Sequence, residues 1–128
     1  PALLGEATQP IREALVHHSI NGSFSIRQGQ WKLALCPGSG GWSAPRPGRS
    51  DFRDRPSIQL FDLDADVAET NNVAEQHPKI VERLVDLLQS YAERGRSTPG
   101  TAQPNTGEVD IWKAGKASFA AGQKARRK

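Results

Sequence analysis

Three groups of residues in this 128-residue sequence have the types and spacing for chemistry. Asp62, Asp64 and Asp66 form D-x-D-x-D, the opening of a calcium loop. The EF-hand loop then needs glycine at its sixth position and glutamate at its twelfth. Val67 and Val73 stand there, so the aspartates read as a strand end running into turns at Asn71 or Asn72. His17 and His18 are adjacent on an expected strand. Strand neighbours point to opposite faces, so the two do not easily bind one ligand; one is expected to be buried or near a cleft and the other exposed. The third group is Cys36-Pro37-Gly38-Ser39-Gly40-Gly41-Trp42-Ser43. Its glycines can turn backbone N–H groups toward an anion. Ser39 offers a hydroxyl, and Trp42 a ring face on which a sugar can stack. P-loop spacing and its lysine are absent. A thiolate nucleophile at Cys36 needs a base and a lowered pKa, and the sequence offers neither. His17, His18, Ser39 and Trp42 are therefore the candidate substrate-binding residues, with no catalytic and no metal-ligating residue assigned.

These residues need elements to hold them. Asn21-Gly22 is a strong hairpin signal, because a type I′ turn needs positive φ at both central positions. It predicts a strand over residues 12–20 leading into Ser23–Arg27, where Phe24 and Ile26 alternate with polar residues. Gln28-Gly29-Gln30 is a second tight turn, followed by a strand over Trp31–Leu35. Residues 36–56 form a long loop with Pro37, Pro45, Pro47 and Pro56 and with Gly38, Gly40, Gly41 and Gly48. Ile58–Leu63 is a fourth strand. Pro78–Arg94 is a helix with Ile80, Leu84, Leu87, Leu88 and Tyr91 on one apolar stripe. Pro78 suits its first turn and Gly95 the position just past its end. The expected fold is α+β: a four-stranded antiparallel sheet covered by one amphipathic helix, with long loops. Residues 1–95 form this sheet-and-helix domain, and 96–128 an extended, partly disordered basic tail.

The order of these pieces carries a resemblance. Ile26-Arg27, Gly29 and Trp31-Lys32-Leu33 make a hairpin motif. Leu60-Phe61-Asp62-Leu63, Asp66, Glu69 and Asn72 make a connection into the last helix. Over residues 12–105 the chain resembles the C-terminal region of type I sulfatases of the arylsulfatase family. Phe61 replaces the family's usual tyrosine, and Val67-Ala68 its usual proline and glycine. The resemblance implies a parent that hydrolyses sulfate esters, with a formylglycine nucleophile and calcium. It places both in an N-terminal catalytic domain of the same parent chain, the expected partner of this one. The formylglycine precursor is C/S-x-P-x-R, which Cys36-Pro37-Gly38-Ser39-Gly40 does not match. The resemblance thus implies a scaffold that is inactive alone and forms one wall of a pocket for a sulfated carbohydrate or aryl sulfate ester. Members of the family are often periplasmic, secreted or lysosomal, which leaves the compartment open.

Composition bounds the rest. The sequence starts at Pro1 and contains no methionine, which is expected of a fragment. Six lysines and arginines after residue 110, against Asp110, give that tail +5 and leave −2 for the rest of a chain at +3. A free-standing polyanion-binding module that uses this tail is the alternative. No aromatic-rich basic patch supports nucleic acid. No apolar run approaches the ~18 residues of a membrane span. A single cysteine, Cys36, rules out an internal disulfide and a cysteine-based zinc site.

Overall fold

The computed structural model describes residues 4–46 and 55–113. Four strands, β1 (Leu15–His18), β2 (Phe24–Gln28), β3 (Trp31–Ala34) and β4 (Gln59–Asp62), form an antiparallel sheet in the order β1-β2-β3-β4. One helix, α1 (Pro78–Arg94), follows. The α+β expectation holds. β1 is shorter than expected because the chain turns at Ser19, whose N–H bonds Ser23 O at 2.9 Å. The turn is also not type I′: Gly22 has φ 74°, but Asn21 is not left-handed. Gly22 N–H bonds Ser19 O at 2.8 Å, so the connection spans three residues. At the second turn the Gln28↔Trp31 pair leaves Gly29 and Gln30 between the strands, with Gly29 at φ 57°.

Register explains the core. Val16, Ile26, Leu33 and Leu60 stand side by side across all four strands. Ile26, Leu33 and Leu60 are completely buried. Against this row α1 packs Val81, Leu84, Val85, Leu88 and Tyr91. The expected stripe is thus rotated: Val81 and Val85 are buried, while Ile80 and Leu87 are only partly covered. Trp31 lies against His77, the residue before the helix, with ring centroids 5.0 Å apart. Gly95 ends the helix in the left-handed region at φ 67°. Gly95 N–H bonds Ala92 O and Arg96 N–H bonds Tyr91 O, a Schellman motif.

The segment after Gly95 returns to the domain. Gln103 N–H bonds Arg94 O at 2.8 Å, and Asn105 Nδ2 donates to Ala92 O at 2.6 Å. The chain then delivers Ile111 and Trp112 into the core. Both fall in the segment expected to be an extended tail, and their burial ties it to the domain. Residues 114–128, with most of the basic tail, lie outside the described residues, as do Pro47 and Gly48 of the long loop. Among the described residues no helix is long and apolar enough to cross a membrane.

Candidate functional site

The sheet face away from α1 carries two cross-strand rows. One is Leu15, Arg27, Lys32 and Phe61; the other is His17, Ser25, Ala34 and Gln59. Two loops rise over this face. The first, residues 36–46, leaves the end of β3. Gln59 Nε2 clips it to β4 by donating to Cys36 O at 2.7 Å and Gly38 O at 2.8 Å. The second, Leu63–Asn71, leaves the end of β4. Between them lies a cleft of about 570 Å³, with Lys32, Ala34 and Phe61 on its floor. Ser39, Ser43 and Pro45 line one side, and Val67, Glu69 and Thr70 the other.

The motif residues build this cleft. Lys32 Nζ pairs with Glu69 Oε1 at 2.6 Å, tying β3 to the second loop. Glu69 holds a left-handed φ of 55°, and its side chain reaches Lys32 on the sheet. Asp66 accepts Thr70 N–H at 2.8 Å, Thr70 Oγ1 at 3.0 Å and Asn71 N–H at 2.8 Å. These bonds, from Asn71 first and then Thr70, hold its carboxyl below the usual carboxylate range. Asn72 Oδ1 accepts Leu60 N–H, and its Nδ2 donates to Ile58 O. With Val73 N–H on Leu60 O, this covers the outer edge of β4. Asp62 Oδ1 accepts Asp64 N–H at 3.1 Å. Asp62 and Asp66 thus bind N–H groups of their own loop. Among the described residues no three His, Cys, Asp or Glu side chains are grouped to hold a metal.

The four candidate residues separate. His17 lies on the same face, beyond Ser25 and outside the cleft lining. Partial desolvation, then the Lys32 charge, pulls its pKa below the ordinary histidine value. His18 points to the helix side, edge-on to Phe24 at 6.0 Å. Ser39 lines the cleft, but its hydroxyl serves its own loop. It accepts Gly41 N–H at 3.1 Å and donates to Ser43 O at 2.7 Å. Ser39 N–H bonds Pro45 O, so neither N–H is left for an anion. Trp42 is 71% exposed and lies outside the cleft lining. Cys36 is buried, which pushes its thiol up, against a hydrogen bond with Ser23. A protonated, buried thiol is a poor nucleophile. Sequence reading missed the Lys32–Glu69 pair and the second loop as a cleft wall. Lys32 at a polar strand position and Glu69 within the motif were the available signals.

Comparison with known proteins decides what this scaffold belongs to. Over 86 residues, 65% of the chain, it is 40% identical to the N-acetylgalactosamine-6-O-sulfatase of Bacteroides thetaiotaomicron. The chain is a sulfatase-related domain. A solved structure from work on glycosaminoglycan metabolism by the same bacterium, BT33336S-sulf, shares the arrangement of this sulfatase-related domain. It has a TM-score of 0.51 and 34% identity over 69% of the chain. The domain spans 16% of the first relative's length and 18% of the second's. No family model matches it.

Proposed function

We propose that this chain is the C-terminal subdomain of a larger sulfuric ester hydrolase. It supplies scaffold and one wall of the pocket for a sulfated carbohydrate, and breaks no bond itself. The observation that carries this reading is how the motif residues are used. Lys32, Asp66, Glu69 and Asn72 bind to their own sheet and loops, while the sequence matches a sixth of a sulfatase. A motif of that kind fixes a surface in place. The nucleophile and the calcium belong to the rest of the enzyme, and no step is derived through them. The name of the first relative, an N-acetylgalactosamine-6-O-sulfatase, supports a sulfated amino sugar as substrate. Of the candidate residues Ser39, which lines the cleft and braces the first loop, is the wall residue.

The test is an assay of the pure 128-residue chain with an aryl sulfate and calcium. It should give no turnover above blank. Turnover that disappears in Cys36→Ala would overturn the reading, because the chain would then hold its own nucleophile.

A further inference from the structure

We infer that residues 114–128 of this chain lie as a strap in the cleft on the loop-covered face of the sheet, held against the acidic second loop. The place where the described chain ends carries the argument. Ile111 and Trp112 are buried in the core, which fixes where Lys113 stands. There the backbone turns through a left-handed φ of 51°. The Lys113 ammonium comes within 3.7 Å of where a Cβ on Gly22 would be, so the chain leaves the domain beside the β1–β2 turn. Ser19 and Ser23, on either side of that turn, line the cleft, and so does Cys36. Burial pushes the Cys36 thiol up, while the bond with Ser23 and the charges of Lys32 and Lys113 pull it down, which sets Lys113 within electrostatic range of this lining residue. Residues 114–128 therefore start at one end of the cleft.

Charge and reach agree with this occupant. Residues 114–128 contain Lys116, Lys124, Arg126, Arg127 and Lys128 and no acidic residue. The second loop, whose Val67, Glu69 and Thr70 form the far wall, is the reverse. It carries Asp62, Asp64, Asp66 and Glu69, with no lysine or arginine from Leu60 to Asn72. Lys32 neutralises Glu69, and the aspartates keep their charge: Asp62 and Asp66 take only N–H and hydroxyl donors, and Asp64 is exposed. Fully extended, residues 114–128 reach roughly 50 Å, and a four-stranded sheet is about 15 Å wide. Lys124 to Lys128 can thus meet the far wall with chain to spare. Val67, 85% exposed on that wall, gains cover from Phe119, the one large apolar residue of 114–128. The outer face of α1 mixes Lys79, Arg83 and Arg94 with Glu82, Asp86 and Glu93 and offers cations no comparable run. The docking stands apart from the function proposed above; on that function, strap and carbohydrate claim the same wall, and the chain carries its own competitor for it.

The experiment compares backbone amide NMR spectra of the 128-residue chain and of one variant with Lys124→Glu, Arg126→Glu, Arg127→Glu and Lys128→Glu. The signals of Ser39, Ser43, Val67 and Thr70 should move, and those of Glu82, Asp86 and Ser90 on α1 should stay. Raising salt from about 20 to about 500 mM should move the parent's signals the same way, because the screening length falls from roughly 20 Å to roughly 4 Å. Movement confined to residues 114–128, or movement on α1, overturns the inference. A carbodiimide, which joins amines to carboxylates in direct contact, should link Lys124 or Lys128 to Asp64 within one chain. Links that join chains of different isotopic label would make a second copy's strap the occupant and overturn the inference, as would links that favour Glu82 and Asp86 of α1.

Discussion

Asp66 gathers two backbone N–H groups and the Thr70 hydroxyl on one carboxylate. Bonds of that kind favour the charged form, so its folded pKa lies below the unfolded value. The stabilisation is fully present above about pH 4 and is lost as pH falls through the folded pKa. Asp66→Asn should therefore flatten the acid side of the stability curve. Urea unfolding at a series of pH values checks this, and curves of equal slope for mutant and parent would contradict it. The sequence made Asp66 visible as part of a motif and of D-x-D-x-D, but not its job. A carboxylate that binds a metal and one that binds its own loop look alike in one dimension. The histidine pair was more legible. Strand alternation alone placed His17 and His18 on opposite faces, as the register does.

At the scale of elements, all four strands and the helix were readable from periodicity and turn residues. The helix bounds Pro78–Arg94 match those expected, because Pro78 and Gly95 mark both ends. Which residues face the core was less legible. An apolar stripe is wide, and only the sheet decides which part of it is covered. Ile80 and Leu87 fall at its border, while Val81 and Val85 are buried. Leu84 and Leu88 are buried on either count, so Leu84→Ala or Leu88→Ala should each cost about 2–5 kcal/mol. Ile111 and Trp112 had no periodicity around them to announce a role. Their burial makes residues 96–113 part of the fold, and Trp112→Ala should cost about 3–5 kcal/mol. Chemical denaturation of the three variants measures this. A Trp112→Ala chain as stable as the parent would mean that the last segment only rests on the surface.

The whole molecule is a sheet with two unlike sides. One side is closed by a helix whose outer positions are all charged. The other is covered by two loops that leave a cleft of about 570 Å³ between them. The cleft was only half legible in the sequence. The glycine-rich loop after β3 suggested a site, but the second wall comes from residues 67–70. Only the sheet register and the Lys32–Glu69 pair bring that wall opposite the first. The sulfatase resemblance was readable from the order of motifs, and Gly29, Lys32, Asp66, Glu69 and Asn72 each have a structural task that explains their type. The central claim is that the domain lends a sulfatase its scaffold and pocket wall but no reacting group. The most direct measurement is kcat/KM for a sulfated N-acetylgalactosamine with a chimera, the Bacteroides sulfatase with its matching segment replaced by residues 12–113. The account predicts turnover within about a hundredfold of the unaltered enzyme, a loss of about 2.7 kcal/mol or less in transition-state stabilisation. A chimera that unfolds cooperatively at the enzyme's own temperature, yet turns over no substrate, would contradict it.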